Sequence, residues 1–517
     1  MNYRLGIDVG GTNTDAVIID EQFKLVSKIK TPTTIDVTTG IYNAIKQVLA
    51  QCDVDRNEIN FAMLGTTHCT NAIVERKKLC NVGILRMGKP ATESIMPMVD
   101  WPKDLIDAVG GEFEVTYGGY EFDGRELTAV DDDDLRRIFA SFKGKIDSLA
   151  ICCVFASIRS ECEYHAMEIA KEVLGDIPVS LSSEIGSLGL VERENATILN
   201  AALMDVAETV TEGFIESLKK EGVENAKVYL CQNDGTLMSA EYTKRYPILT
   251  VACGPTNSIR GASFLSDKKE AIVLDVGGTT SDIGVIFKGF PRESSLAVEI
   301  GGARTNFRMP DLVSIGLGGG TIIRDNDGQI TVGPDSVGYL LTEKAYVFGG
   351  DTLTATDIAV RLGMADIGDK SKIEFLDIDY AKRVMDQIMD MVTQGIDKMK
   401  LSSGGVTLIL VGGGSVLIRD EIEGVSEVIR PESYDVANAL GSAIAQVSGE
   451  VDRIFTVDGT TRDEVIATAK QMAIDEATKA GADPDTIEIV DLDDIPLAYH
   501  PGNATRIKVK AAGDLLQ

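Results

Sequence analysis

Short apolar runs separated by glycine-rich polar turns dominate the pattern along this chain. Two of these turns are alike: Asp8-Val-Gly-Gly-Thr12 is followed by Asp15, and Asp275-Val-Gly-Gly-Thr279 is followed by Asp282. Each turn stands between two apolar runs, so each predicts a strand, a tight turn and a second strand. The repeat indicates two similar half-domains that face one shared phosphate.

Other segments show clear helix or strand patterns. Predicted strands cover residues 25–30, 61–64, 149–155, 227–230 and 406–411, and predicted helices cover 41–49, 161–174, 189–215 and 435–444. Residues 65–76 read as a polar loop that opens a helix. The aspartates at 131–134 favour capping of a helix N-terminus over a metal site.

The pattern changes near residue 451. A strand at 453–457, a helix at 461–480 and strands near 487–491 and 505–510 predict a small α+β unit. This unit is expected either to dock another protein or to cover the edge of a sheet. The whole pattern predicts three parts: residues 1–190, 191–450 and 451–517.

Composition narrows the class of protein. The 517 residues are 44% apolar and carry a net charge of −30, which argues against nucleic acid and anionic membranes as partners. A local pocket of backbone N–H groups with Mg²⁺ still permits ATP binding. The sequence shows no signal-peptide pattern and no membrane-length apolar run, so we expect a cytoplasmic protein.

Cysteines and histidines exclude some chemistry. The eight cysteines have no zinc spacing, and the adjacent pair Cys152 and Cys153 lies in an apolar run that predicts buried free thiols. Only three histidines occur, so a metal site built from several histidines is not expected. His165 and His500 are expected to be structural or solvated, whereas His68 lies in the polar loop.

The two hairpin turns have the residue types that polyphosphate binding requires. Paired glycines let the backbone approach phosphates, threonine hydroxyls add hydrogen bonds, and a carboxylate at a strand end holds Mg²⁺ directly or through water. The predicted phosphate-binding residues are Gly10, Gly11, Thr12, Asn13, Gly277, Gly278, Thr279 and Thr280. The predicted metal residues are Asp8 and Asp275.

The order of motifs resembles a known superfamily. Two phosphate hairpins are followed by the strand at 406–411 and the turn Gly412-Gly413-Gly414-Ser415, as in the actin–hexokinase–Hsp70 ATPases. Further stretches resemble the hydantoinase/oxoprolinase family, specifically its hydantoinase A-type ATP-binding subunit. These stretches are Gly65-Thr-Thr67, Thr70-Asn-Ala72, Glu75-Arg76, Glu192-Arg-Glu194, Leu199-Asn-Ala201, Gly254-Pro255, Gly318-Gly-Gly320, Gly333-Pro-Asp-Ser336 and Thr356-Asp357.

The resemblance implies a fold and a reaction. The fold would be α/β, with two ribonuclease-H-like (actin-like ATPase) domains around a nucleotide cleft and a small C-terminal α+β appendage. The reaction would use ATP and Mg²⁺ to phosphorylate a carbonyl oxygen of a cyclic amide or a ketone before hydrolysis or carboxylation. A second, hydantoinase B-like or other subunit is implied, and a homo-oligomer stays open.

The resemblance also implies roles for residues. Asp8, Asp275, Thr12, Thr279 and His68 would be catalytic, and Gly412, Gly413, Gly414 and Ser415 would line the adenosine pocket. Thr66, Thr67, Asn71, Glu75, Arg76, Gly318 and Gly319 would face the substrate. The family often has His directly before Gly65, where this chain has Leu64. For His68 the alternative is a surface or packed loop histidine. For the other residues of 66–76 it is helix capping and a surface pair of adjacent residues.

Two other functions fit the hairpins. An ATPase that activates a partner enzyme would turn over ATP in response to a protein. A sugar or small-alcohol kinase would leave a stable phosphorylated product. The stretches at 65–76 and 314–321 favour the carbonyl-activating enzyme.

Overall fold

The computed structural model describes residues 2–34, 36–186, 188–294, 298–307, 309–326, 328–401, 404–455, 457, 459–497 and 504–516. In these residues the strands β1 to β23 are Tyr3–Val9, Asn13–Ile19, Leu25–Pro32, Ile59–Thr66, Val82–Lys89, Glu112–Tyr117, Ser148–Cys153, Val179–Leu181, Lys227–Cys231, Leu237–Ser239, Ala271–Val276, Ser281–Phe287, Phe290–Pro291, Val298–Ile300, Ala303–Thr305, Leu312–Ile315, Thr321–Asn326, Gln329–Ser336, Val406–Val411, Val425–Ile429, Val447–Phe455, Glu488–Pro496 and Thr505–Gly513.

The α-helices α1 to α15 in the same residues are Val37–Ala50, His68–Glu75, Lys103–Ala108, Asp132–Phe142, Glu161–Leu174, Ser182–Ile185, Leu190–Ala202, Met204–Lys220, Ala240–Arg245, Cys253–Ser266, Leu341–Lys344, Ala355–Arg361, Ile378–Met399, Ala437–Ile444 and Arg462–Lys479. Within the described part of the chain, no helix combines the length and the apolar character that crossing a membrane requires.

Two sheets repeat one strand order. In the first, β3, β2 and β1 are antiparallel neighbours, and β4 and β9 continue in parallel from β1. In the second, β12 and β11 are antiparallel, β13 and β16 pair with β12, and β19 and β20 continue in parallel from β11. This repeated order confirms the predicted fold class of two ribonuclease-H-like halves.

Helices α10 and α14 lie between the two sheets. Because side chains alternate along a strand, Leu5 and Ile7 enter the core under α1 and α8, whereas Gly6 and Asp8 lie on the face that α14 covers. α10 packs on β11, β12 and β19 of the second sheet. The two helices contact each other closely, so they connect the two halves of the molecule.

The C-terminal residues extend the first sheet. Their strands β21, β23 and β22 continue it from β10, giving a nine-stranded sheet in the order β22-β23-β21-β10-β9-β4-β1-β2-β3. α15 packs on β21 and β23, and its alanines join one core with β4 and β9. The predicted α+β unit is therefore present, and it covers a sheet edge. The boundaries at 190 and 450 stay predictions.

Several other predictions can be compared with the structure. Residues 189–215 form two helices, α7 and α8, with a break at Leu203, so the single long helix was wrong. Residues 65–76 are mostly strand and helix, since β4 ends at Thr66 and α2 begins at His68. Asp131 caps α4 as predicted. The eight cysteines are free, and Cys152 and Cys153 are buried. His500 lies outside the described residues.

A four-stranded parallel sheet is inserted into the first half. Its order is β6-β5-β7-β8, and α4 and α5 cover one face. The buried carboxylate of Glu194 binds the buried guanidinium of Arg86, which ties α7 to β5. Such a fully desolvated pair needs both partners in place. The insertion is thereby held rigidly against the half that carries the first hairpin.

Candidate active site

The tips of the two hairpins meet. In each turn the first glycine donates its N–H to the carbonyl that closes the turn, Gly10 to Asn13 at 3.0 Å and Gly277 to Thr280 at 2.9 Å. The hydroxyls of Thr12 and Thr279 lie 3.3 Å apart. The structure therefore brings together the residues predicted for phosphates: Gly10, Gly11, Thr12, Asn13, Gly277, Gly278, Thr279 and Thr280.

The hairpin carboxylates are held by one helix. Asn257 on α10 donates its side-chain amide to Asp8 at 3.0 Å, and the next residue, Ser258, donates its hydroxyl to Asp275. Adjacent residues of α10 therefore bind the equivalent aspartates of the two halves. The distance between these carboxylates is set by a rigid element rather than by two independent loops.

A second helix binds the first hairpin. Asn438 on α14 donates to Asp8 at 3.0 Å and to Asp15 at 2.8 Å. The ammonium of Lys30 on β3 lies 2.7 Å from Asp15 Oδ2. Asp8 and Asp15 face each other across β1 and β2, so Asn438 bridges two carboxylates that repel each other.

Burial shifts the pKa values of these carboxyl groups upward. Desolvation raises the pKa of Asp8 to about 6, although amide hydrogen bonds from Asn257 oppose the shift. Burial likewise raises the pKa of Asp282 to about 6 and raises the pKa of Asp275. A cation near such desolvated carboxyl groups would favour their ionised form.

The triple-glycine turn packs on the second hairpin. A Cβ at Gly412, whose φ is +84°, would lie 2.2 Å from Asp275 Oδ1, and one at Gly414 would lie 2.6 Å from the carbonyl of Gly277. Both positions therefore need glycine. Gly413 begins a short helical turn in which Ser415 is buried. The turn is thus built into the wall of the hairpin site.

A cavity of about 530 Å³ opens beside this turn. Its lining residues are Met364, Val416, Ile418, Arg419, Asp420, Glu421, Arg430 and Tyr434. Its lining mixes apolar, aromatic and charged groups. The backbone N–H of Gly412 donates to the carbonyl of Tyr434 at 3.0 Å, which links cavity and turn.

Gly318 and Gly319 support the second hairpin turn. A Cβ at Gly318 would lie 2.6 Å from the backbone N of Thr279, and Gly319 donates its N–H to the carbonyl of Gly277 at 3.0 Å. The structure thus places both glycines against the phosphate turn. Their role toward a substrate stays a prediction.

The start of the predicted loop lies beside the first hairpin. Gly65 and Thr66 end β4 opposite Asp8 and Val9. Thr67 donates its hydroxyl to the carbonyl of Val9 at 3.3 Å, and the side chains of Thr66 and His68 are hydrogen-bonded. Burial lowers the pKa of His68 to about 4, so its imidazole is neutral near pH 7.

The end of that segment points elsewhere. Asn71 is exposed and donates to Thr67 at 3.4 Å, while Glu75 is exposed and pairs with Lys77. Arg76 ends α2 with φ 57° and donates to the carbonyl of Gly301 at 2.7 Å. Glu75 stands about 10 Å along the helix from His68. The structure therefore places only residues 65–68 of this segment beside the hairpin.

Sequence reasoning missed four residues that bind Asp8, Asp15 or Asp275. These are Lys30, Asn257, Ser258 and Asn438, all of which bind hairpin carboxylates. One signal was visible for Asn438, a polar residue inside the small-residue helix at 435–444. The other three carry no local pattern that distinguishes them from surface residues.

The site fits Mg²⁺ that is bound mainly through water and phosphate. Asp8 and Asp275 provide carboxylate oxygens, and the buried Oδ1 of Asn257 accepts no hydrogen bond from the described residues. Those residues include no group of three or more His, Cys, Asp or Glu side chains suited to hold a metal. Mg²⁺ ordinarily binds through one or two carboxylates and substrate phosphates, so the donor set agrees with it.

Comparison with known families identifies the class of protein. Residues 4–174 match the hydantoinase/oxoprolinase N-terminal region, and residues 193–366 match the hydantoinase/oxoprolinase model. The chain belongs to the hydantoinase/oxoprolinase family.

Individual relatives are distant. The chain is 25% identical to an uncharacterized protein of Methanocaldococcus jannaschii, over 100% of this chain and 83% of that protein. It is also 25% identical to the caprolactamase subunit alpha of Pseudomonas jessenii, over 85% of this chain and 65% of that subunit. It spans 53% of the acetophenone carboxylase gamma subunit of Aromatoleum aromaticum, at 24% identity. The chain thus covers less than two thirds of these two named enzyme subunits.

Solved structures share the fold over nearly the whole chain. The ATP-dependent caprolactamase of Pseudomonas jessenii matches with a TM-score of 0.79 at 19% identity, covering 99% of this chain and 88% of that one. Nucleotide-free acetone carboxylase matches with a TM-score of 0.73 at 18% identity, with the same coverage. The C-terminal strands are therefore part of the shared architecture.

Proposed function

We propose that this protein uses ATP to activate a carbonyl group. The phosphoryl group would go to the carbonyl oxygen of a cyclic amide, such as a hydantoin or oxoproline, or of a ketone, before hydrolysis or carboxylation. The observation that carries the proposal is the meeting of the two hairpins, whose threonine hydroxyls lie 3.3 Å apart beside two carboxylates held by one helix. Family membership supports it, because related chains are named as ATP-dependent enzymes.

The hairpin residues would hold and orient the phosphates. Their backbone N–H groups and the hydroxyls of Thr12 and Thr279 are suited to phosphoryl oxygens. Bound Mg²⁺ would neutralise phosphate charge, and Asp8 and Asp275 are the residues that would hold it. In phosphoryl transfer, positioning and electrostatic stabilisation supply most of the catalysis. Asp8 and Asp275 are bound by adjacent residues of α10, and this fixed spacing suits that task.

The remaining ligand groups would lie on either side of the phosphates. The cavity beside Gly412–Ser415 would receive the adenosine, with Tyr434 available to pack against the base. Thr66, Thr67 and His68 adjoin the first hairpin, so they would face the carbonyl substrate. A neutral His68 would donate or accept one hydrogen bond without adding charge.

A second subunit would complete the enzyme. Both named enzymes among the relatives described above are subunits, the caprolactamase subunit alpha and the acetophenone carboxylase gamma subunit, and this chain covers 65% and 53% of their lengths. A partner would supply the hydrolytic or carboxylating step that follows activation of the carbonyl.

The test is ADP release with Mg²⁺ and a panel of hydantoins, oxoproline, lactams and ketones, with and without the product of the neighbouring reading frame. We expect one substrate class to raise turnover, and the raised turnover to disappear in Asp8→Asn and Asp275→Asn. If no compound in the panel raises ATP turnover, with or without the second protein, carbonyl activation is contradicted.

ADP release and phosphorus NMR together separate the two other functions. Stimulation by a protein alone, with no small molecule, would indicate an ATPase that activates its partner. A stable phosphorylated product in the phosphorus NMR spectrum would indicate a small-molecule kinase.

A further inference from the structure

Lys30 lies where the two halves face each other. It stands on β3 of the first half, and its ammonium is 2.7 Å from Asp15 Oδ2. Its Cε is 3.9 Å from the place where Gly413 of the second half would carry a Cβ. The side chain is 29% exposed, so solvent and a ligand can reach it. One lysine therefore contacts a phosphate hairpin and also approaches the triple-glycine turn.

The surroundings of Lys30 are strongly acidic. The two hairpins contribute Asp8, Asp15, Asp275 and Asp282 to one region. The positive charge of Lys30 opposes the effect of burial on the pKa values of both Asp15 and Asp275, which belong to different halves. Among the described residues, Lys30 is the only lysine or arginine with an ion pair to a hairpin carboxylate. A polyphosphate entering this region needs such a cation.

The contacts of Asp15 allow Lys30 to change partners. Asp15 accepts a hydrogen bond from Asn438 at 2.8 Å in addition to the ion pair with Lys30. If the ammonium turns to a phosphate, the amide of Asn438 still donates to Asp15 Oδ2. Lysine serves as a flexible point charge for phosphates, and its four-carbon stem permits this movement.

We propose that Lys30 is a ligand of the nucleotide polyphosphate, which it binds by leaving Asp15. The proposal rests on the proposed use of ATP. It assigns to β3, a strand outside both glycine turns, the positive charge that discriminates ATP from adenosine.

The test compares Lys30→Met with Lys28→Met. Lys28 is on the same strand and the same face, and it pairs with Asp435 at 2.8 Å, away from the hairpin carboxylates. Dissociation constants of ATP, ADP, AMP and adenosine are measured by calorimetry with Mg²⁺ present. We expect Lys30→Met to weaken ATP binding by roughly tenfold to a hundredfold, as for one lost charged hydrogen bond. Lys30→Met should bind adenosine with the wild-type dissociation constant. Lys28→Met should bind all four ligands with wild-type dissociation constants.

The outcomes separate this assignment from the proposed function. If Lys30→Met binds ATP as tightly as wild type, with an unchanged ratio of ATP to adenosine affinity, the role of Lys30 is overturned and the proposed function is not. An equal loss in Lys28→Met would overturn it too, because a general field effect would then explain the result. A wild-type protein that binds no nucleotide would overturn both proposals. Should Lys30→Met fold poorly, Lys30→Gln keeps a donor for Asp15 and is expected to lose the same preference.

Discussion

Asp8 and Asp275 occupy equivalent positions in the two hairpins but have different donors. Asp8 accepts two side-chain amides, from Asn257 and Asn438, whereas Asp275 accepts the hydroxyl of Ser258. The hydrogens of an amide are fixed in the plane of the group, whereas a hydroxyl hydrogen can rotate away from the carboxylate. The first aspartate is thus held in place more firmly, and the second is easier to perturb by one substitution.

Removing the hydroxyl of Ser258 should shift the pH dependence of turnover. Burial raises the pKa of Asp275, and the hydrogen bond from Ser258 opposes that rise. In Ser258→Ala the pKa rises further, so the ionised form is lost at a higher pH. We expect the acidic limb of the kcat profile to move to higher pH. Ser263→Ala, on the same helix but bonded to the carbonyl of Lys268, should leave the limb in place. A uniform fall in kcat at every pH would contradict this expectation.

His68 should make the protein less stable in acid. Burial lowers its pKa from the usual 6.5 to about 4, so between these values the unfolded chain binds a proton that the folded protein does not. The contribution to stability is complete above pH 6.5 and is lost as the pH falls toward 4. Between pH 6.5 and pH 4, we expect the melting temperature of His68→Asn to fall less than that of wild type. His165→Asn, exposed beside Asp132, should behave as wild type. Identical curves for wild type and His68→Asn would exclude this role of His68.

Local patterns predicted the hairpins but not the groups that hold them. Glycine pairs between apolar runs specify a turn within a few residues, and both turns formed where predicted. Asn257 meets Asp8 across 249 positions, and Asn438 meets it across 430. No periodicity within a helix reveals which distant carboxylate its polar residue will meet. The sequence shows which residues are polar, but which of them bind each other depends on the tertiary packing.

The crossing of α10 and α14 depends on two glycines. A Cβ at Gly261 would lie 1.9 Å from the carbonyl of Ala437, and one at Gly441 would lie 1.8 Å from the carbonyl of Asn257. The helix backbones are therefore in direct contact where the site is held. Any bulk there moves Asn257 and Asn438 apart.

Gly261→Ala should destabilise the protein and impair turnover together. Overpacking of a tight contact costs about 1–3 kcal/mol, so we expect the urea midpoint to fall by that free energy. Gly254→Ala on the same helix is the matched control, because its Cβ would meet Thr67 at an ordinary 3.6 Å. Equal behaviour of the two variants would show that the crossing is not tight in solution.

Element predictions failed where the cause was not local. The break between α7 and α8 at Leu203 has neither glycine nor proline, and the apolar spacing continues through it. The side chain of Asn200, just before the break, bonds to Ser180 and to the backbone of Arg245 and Ile248. These contacts come from distant segments, so the sequence pattern did not contain the break.

A buried ion pair attaches the C-terminal strands to the rest of the nine-stranded sheet. The ammonium of Lys510 on β23 lies 2.7 Å from Asp234 in the turn between β9 and β10, and both are almost fully buried. Burial alone would raise the pKa of Asp234, but the charge of Lys510 and bonds from Thr236 bring it below the ordinary value. The pair fastens the C-terminal strands to the first half.

Breaking this pair should test that attachment. Lys510→Met leaves Asp234 buried without its cation, so we expect a loss of about 3–5 kcal/mol in the free energy of unfolding. Lys508→Met, on the same strand but less buried, should cost much less. In the double variant Asp234→Asn with Lys510→Met, most of the loss should be recovered. A small effect of Lys510→Met alone would mean that the C-terminal strands are held by other contacts.

The nine-stranded sheet also determines the order in which the molecule can be completed during synthesis. β10 leaves the ribosome long before β21, β23 and β22, which pair beyond it, and the intervening chain builds the whole second half. At about 5–20 residues per second, this interval lasts on the order of tens of seconds. The nascent first half therefore has an unpaired sheet edge throughout that time. The newborn chain should accordingly depend on chaperones more than the mature protein does.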